Sequence, residues 1–153
     1  MQDFALEKEV EREIKQVIGG MGYSLVEVRV GHSRNFTKVS VVIYRKEEQG
    51  GVTVGSCESV SKTILPRLEL IEGLENMTLE VSSPGLDRVI RSENEYEIFK
   101  GKGIKIIFRD TGRVVTGILR DYKRDEKKIS VYINQDIEEI NISEIRKARL
   151  IDI

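Results

Sequence analysis

Along the first twenty residues, apolar side chains recur every three or four positions, at Leu6, Val10, Ile14, Val17 and Ile18. That spacing predicts an amphipathic helix over residues 3–20. Glu7, Glu9, Glu11 and Glu13 crowd its early turns, where the positive end of the helix dipole favours acids. The pair Gly19-Gly20 is the expected stop. The period then changes to two. Val26, Val28 and Val30 alternate with polar residues over 24–30, and Val39, Val41 and Ile43 do so over 36–45. Two antiparallel strands joined by a turn at 31–35 follow from this pattern. Residues 46–51 are charged, end in two glycines, and are expected to form a mobile tip.

Thr53 is the expected N-cap of a second helix running to about Leu70, with Cys57, Val60, Ile64, Leu65 and Leu68 as its apolar stripe. Pro66 has no N–H to give the carbonyl of Lys62, so a kink or an early end is expected there. A third strand over 77–81 completes an α-β-β-α-β layer, a three-stranded sheet with two helices on one face.

After residue 90 the pattern is different. Ser92-Glu93-Asn94-Glu95 has the form of a capping box and opens a short helix ending near Gly101. Short alternating runs then follow: Ile104, Ile106 and Phe108; Val114, Thr116 and Ile118; Ile129, Val131 and Ile133; Ile137, Ile140 and Ile142; and Ala148, Leu150 and Ile153. Turns fall at 110–112, 123–127 and 134–136. Five short strands in about sixty residues predict a small closed barrel. Gly117, in mid-strand, marks a sharp bend at a barrel corner. The fold class is therefore α+β, in two domains at 1–90 and 91–153.

Between the two patterns lies a stiff polar corner, residues 82–88. Pro84 ends the third strand, and Pro84-Gly85 suits the centre of a type II turn with Gly85 at positive φ. Leu86 is expected to pin the corner to a core, and Asp87 to orient Arg88. One role is structural, setting the angle between the domains. The other is to present Ser82, Ser83, Pro84, Gly85, Leu86, Asp87 and Arg88 to a partner. In that case, alanine at Asp87 and Arg88 weakens binding and leaves melting nearly unchanged.

Charge adds a second candidate surface. Residues 1–90 hold 11 basic and 14 acidic side chains, or −3, and residues 91–153 hold 14 and 12, or +2. Within 100–128 the count is 10 basic against 4 acidic, or +6, whereas 129–145 holds four acids and no base. Lys100, Lys102, Lys105, Arg113, Lys123 and Arg124 are the candidates for phosphate contact, and Arg109, Arg120, Lys127 and Lys128 lie in the same run. The alternative is that these residues coat a barrel for solubility.

Catalytic patterns are weak. Ser59-Val60-Ser61-Lys62 fits S-x-x-K, but S-D-N and K-T-G are absent. Gly101-Lys102-Gly103 is no complete phosphate loop. His32 is expected to be a solvated turn residue, and Cys57 a small buried hydrophobe. One cysteine and one histidine build no zinc site, and no metal or cofactor is expected. No apolar run is long enough to span a membrane, and no signal-peptide layout opens the chain, so a cytoplasmic protein is expected.

The run Leu79-Glu80-Val81-Ser82-Ser83-Pro84-Gly85-Leu86-Asp87-Arg88 resembles the signature of the bacterial ribosome maturation factor RimP family. Val52-Thr53-Val54, Cys57-Glu58 and Val60-Ser61 are similar to that family's second helix, and Lys147-Ala148-Arg149-Leu150 to its final strand. Val89 stands where the family usually has proline, and Gly55-Ser56 where it usually has acids. The resemblance implies an Sm-like or SH3-like barrel in the second domain. It also implies a non-enzymatic factor that binds the immature small ribosomal subunit as a monomer, touching ribosomal RNA and a ribosomal protein near the decoding centre. The alternative is a general Sm-type RNA-binding module, which predicts ring-forming oligomers.

Overall fold

The computed structural model describes residues Met1–Asp152; the closing apolar position expected at Ile153 lies outside them. The chain divides into two compact units, Met1–Pro84 and Gly85–Ile153.

In the first unit, helix α1 (Phe4–Gly20) is followed by strands β1 (Ser24–His32) and β2 (Thr37–Tyr44), helix α2 (Val54–Leu68) and strand β3 (Met77–Ser82). The sheet order is β1-β2-β3, antiparallel between β1 and β2 and parallel between β2 and β3, with α2 as the crossover. The apolar stripes meet as their periods require. Val10, Ile14 and Ile18 of α1 and Val60, Ile64 and Leu68 of α2 bury against Val30, Val39, Val41 and Ile43. Thr53 caps α2, and its hydroxyl accepts from Ser56 N–H in a full capping box. The helix ends at Leu68, two residues past Pro66.

Three local expectations are corrected. The stop of α1 is not Gly19-Gly20 but Gly22, at φ 93°. Gly22 N–H donates to Gly19 O and Tyr23 N–H to Ile18 O, the paired bonds of a Schellman motif, which needs its left-handed residue one position past the cap. The loop 46–51 is not a free tip. A 3-10 turn (Glu47–Gln49) fills it, and Arg45 ties it down, donating from Nε to Gly51 O at 3.0 Å while stacking over the Tyr23 ring.

His32 is not in the turn; it ends β1. Its Nε2 lies 2.9 Å from Asp3 Oδ2, and its Nδ1 lies 2.9 Å from Thr37 Oγ1. Asp3 also N-caps α1, accepting from Leu6 N–H at 3.0 Å. The Leu6 N–H and the His32 ring hold the Asp3 carboxyl below its usual range. A carboxyl depressed by folding contributes stability fully above its unfolded pKa, about 3.9. That contribution disappears as pH falls through the lower folded value. Asp3→Asn should therefore flatten the acid limb of the first unit's stability below about pH 4, as followed by hydrogen exchange of Val10 and Val30 amides. An unchanged acid limb would count against the contact.

In the second unit, helix α3 (Asn94–Ile98) precedes strands β4 (Gly103–Phe108), β5 (Val114–Lys123), β6 (Lys128–Ile133), β7 (Asp136–Asn141) and β8 (Ile145–Ile151). They form one antiparallel sheet in the order β7-β6-β5-β4-β8. The core joins Phe99, Ile104, Ile106, Leu119, Ile129, Val131 and Leu150. A closed barrel was expected, and the ladder among the described residues is not closed: β7 and β8 stand at its two ends. The outer edge of β8 is instead taken by the corner's own chain. Ile90 N–H donates to Ala148 O, and Leu150 N–H to Arg88 O. At Gly117, where a bend was expected, β5 passes from one partner strand to another. β5 pairs with β4 up to Ile118 and with β6 from Ile118 onward.

Candidate functional site

The corner is built differently from the expected type II turn. Gly85 is not at positive φ, and the hydrogen bond that closes the turn runs from Arg88 N–H to Gly85 O, so the turn centres on Leu86-Asp87. Those central positions face water. Leu86 is 77% exposed, so it pins nothing. Ser83, Gly85 and Asp87 are exposed as well, while Ser82 and Pro84 are half-buried.

Residues 85–90, assigned by pattern to the first domain, group with the second unit through the bonds to β8. In that bridge Val89 faces Arg149 as a non-hydrogen-bonded pair, since the bonds run from its neighbours. Its own N–H is outside the β8 ladder. A proline there, as the family usually has, removes none of these bonds.

Arg88 is not oriented by Asp87. Its Nε donates to Glu95 Oε1 at 2.7 Å, with the two side chains 9% and 1% exposed. The other oxygen, Glu95 Oε2, accepts from Arg91 N–H at 3.1 Å and Ser92 N–H at 3.0 Å, with Ser92 Oγ at 3.4 Å. The capping-box signal was half right. Glu95 reaches back to the Ser92 amide, but the Ser92 hydroxyl turns to the carboxylate instead of capping an amide. Burial, helped by the Glu95 and Glu93 carboxylates, pushes the adjacent Tyr96 hydroxyl up to about 12. Arg88 thus belongs to the fold of the second unit and is not a side chain offered outward.

The basic run is likewise redistributed by folding. The acids of 129–145 fold back onto several of its members. Arg113 Nη2 donates to Glu138 at 2.9 Å, and Lys123 pairs with Glu139. That hydrogen bond raises the pKa of Lys123 and lowers that of Glu139. Lys100 pairs with Glu97 at 3.1 Å and Lys127 with Glu93 at 3.5 Å. Arg124 donates to Asn94, and Arg109 to the Ser143 and Ile145 carbonyls. Lys102 is half-buried and also engaged. Of the six candidates, Lys105 alone stands without a partner among the described residues.

Lys105 has company that pattern reading missed. In the ladder it lies directly opposite Arg149 of β8 on one side and Thr116 of β5 on the other. Lys147 lies opposite Ile107, two residues along on the same side of the sheet. Neither Arg149 nor Lys147 has an acidic partner among the described residues. The only hint in the sequence was the acid-free run 145–151 at the far end of the chain.

The remaining singled-out groups hold structure. Cys57 is half-buried on α2 and not fully buried as expected, and burial raises its thiol pKa. Ser59 and Lys62 are exposed on α2, with no acid–base partner beside them among the described residues. Among the described residues, no helix is long and apolar enough to cross a membrane.

Comparison with known proteins agrees with the geometry. The model of the RimP N-terminal domain matches residues 13–87. The protein named ribosome maturation factor RimP of Borrelia garinii subsp. bavariensis is 30% identical over 151 residues, 97% of each chain. Its namesake from Borreliella burgdorferi is equally similar, and that from Borrelia hermsii is 31% identical over 148 residues, 93% of this chain and 94% of that one. With the likeness running through both units and the corner, this chain belongs to the ribosome maturation factor RimP family.

Proposed function

We propose that this chain is a non-enzymatic ribosome assembly factor that binds the immature small ribosomal subunit in the cytoplasm and favours its maturation. The observation that carries the reading is similarity over 97% of the chain to proteins named for ribosome maturation. The mechanism is population shift. A binder that prefers one arrangement of the assembling particle raises the share of that arrangement by its differential affinity, and no bond need be made or broken.

The corner is the proposed contact for a ribosomal protein near the decoding centre. Ser83, Leu86 and Asp87 supply exposed groups, and Ser82, Pro84, Gly85 and Arg88 hold the loop's form. An apolar side chain as exposed as Leu86, on a turn hydrogen-bonded into the second unit, suits burial against a partner. The second unit is proposed to be of the Sm-like kind: five strands ordered β7-β6-β5-β4-β8, with a one-turn 3-10 link (Ile142–Glu144) before β8. The rival reading, a general Sm-type module forming rings, gains nothing from the match of residues 13–87 to the RimP N-terminal domain.

A sucrose gradient of cell extract separates the two. The chain should ride with free small subunits as a monomer and be absent from mature ribosomes, and Leu86→Asp should shift it towards the top. A ring-sized oligomer away from subunits would support the rival.

A further inference from the structure

We propose that the outward side of β4 and β8, with Lys105, Lys147 and Arg149 as its cations, is the surface that takes RNA phosphates. The proposal deepens the assembly-factor reading and rests on it. The +6 segment at 100–128 does not act as one surface, because folding brings acids onto Lys100, Arg113, Lys123 and Lys127 and leaves Lys105 to this one.

The ladder shows what is left. Val89, Arg149, Lys105 and Thr116 stand directly opposite one another across four adjacent chain segments. Opposed residues share one side of a sheet, so the four form a row. That row is on the solvent side. The alternate positions Ile104, Ile106, Ala148 and Leu150 are buried, whereas Thr116 and Lys147 are exposed and Lys105 and Arg149 half-buried. No acidic residue occurs in β4, in β8, in β5 before Asp121, or in 88–91. The acids nearest in sequence to these strands, Asp110, Glu144 and Asp152, lie beyond their ends, and the others of this unit are at 87, 93–97, 121–126 and 136–139.

Three cations without a counter-charge among the described residues, on strands that carry no acid, favour an anionic partner over any other. A file of cations spaced by strand and residue repeats, about 5 and 7 Å, suits a chain of phosphates, and Thr116 adds a hydroxyl donor to the row. An acidic protein segment is the competing occupant, and the test separates the two.

The full chain is titrated against purified immature small subunits, and against RNA extracted from them, over a range of salt. Changing Lys105, Lys147 and Arg149 together to alanine should weaken binding to both probes and lower the slope of log affinity against log salt by about two to three. Lys100, Arg113 and Lys123 changed together should lower it by less than about one. Hydrogen exchange checks that both variants remain folded. If the first variant binds subunits as tightly and with the same slope as the parent chain, the proposal fails while the assembly-factor reading stands. If it loses subunits and keeps naked RNA, the face binds protein and the RNA assignment is overturned. If the parent chain binds neither probe, the assembly-factor reading fails, and the proposal with it.

Discussion

Replacing Glu95 by alanine is expected to destabilise the second unit by roughly 3–5 kcal/mol. The reason is what the substitution leaves behind. Arg88 is 9% exposed on its side chain, and its Nε donates to the Glu95 oxygen at 2.7 Å. Without that carboxylate, the buried guanidinium loses this acceptor, and the amides of Arg91 and Ser92 lose theirs as well. Arg88→Ala should do comparable damage from the other side. This reverses the sequence-based expectation that Arg88 can be removed with melting unchanged. Asp87→Ala alone is the change that should leave stability within about 0.5 kcal/mol, since Asp87 is exposed. Hydrogen exchange at Phe99, Leu119 and Leu150, all in the second unit, reads the effect without interference from the first. A loss below about 1 kcal/mol for Glu95→Ala would mean the pair is not the buried strut described here. The double change Arg88→Met with Glu95→Leu should recover part of the loss, because the buried guanidinium is gone while the Arg91 and Ser92 amides still lack their acceptor.

Gly117→Ala is expected to cost the same unit about 3 kcal/mol. A Cβ at this position would stand 2.3 Å from the Tyr132 carbonyl oxygen, 2.8 Å from Val131 Cγ1 and 2.9 Å from Ile133 Cγ1. The nearest atom is backbone in the paired strand, so it cannot swing aside as a flexible side-chain end would. The only relief is to part β5 from β6 where β5 changes partners. The loss should therefore be concentrated in exchange protection on β5 and β6. A change below about 1 kcal/mol would show that the two strands separate easily at the bend.

The helices and the first sheet were legible because each signal was local. The stripes at Val10, Ile14, Ile18 and at Val60, Ile64, Leu68 identify a face by spacing alone. Thr53 and Gly117 were legible for a similar reason, since a cap and a strand glycine each have a narrow set of uses. Charge pairing was not legible, because it depends on which strands lie side by side. Nothing within 100–128 says that Glu138 and Glu139 will meet Arg113 and Lys123. Nor does it say that Lys105 will lie beside Arg149, more than forty residues away. The corner was recognisable as a signature and misread as geometry. Leu86 was assigned to a core on its apolarity, yet the turn forms two residues later than Pro84-Gly85 suggests and carries it outward. Arg88 was paired with its neighbour Asp87, when a buried carboxylate seven residues on satisfies it better.

These findings divide the labour within the second unit. Arg88, Glu95 and the strand bonds of Ile90 and Leu150 make the end of the corner part of a packed body. Leu86 and Asp87 remain exposed, and Lys105, Lys147 and Arg149, without an acidic partner among the described residues, lie on β4 and β8. Variants of the first set should change stability, and variants of the other two should change binding.

The most direct test of the account is to measure affinity for immature and for mature small subunits under identical salt. An assembly factor acting by population shift must bind the immature form more tightly, and a tenfold preference corresponds to about 1.4 kcal/mol of bias towards the state it holds. The account predicts at least that preference for the full chain. Equal affinity for the two forms would contradict it, because a ligand that binds both states alike shifts neither.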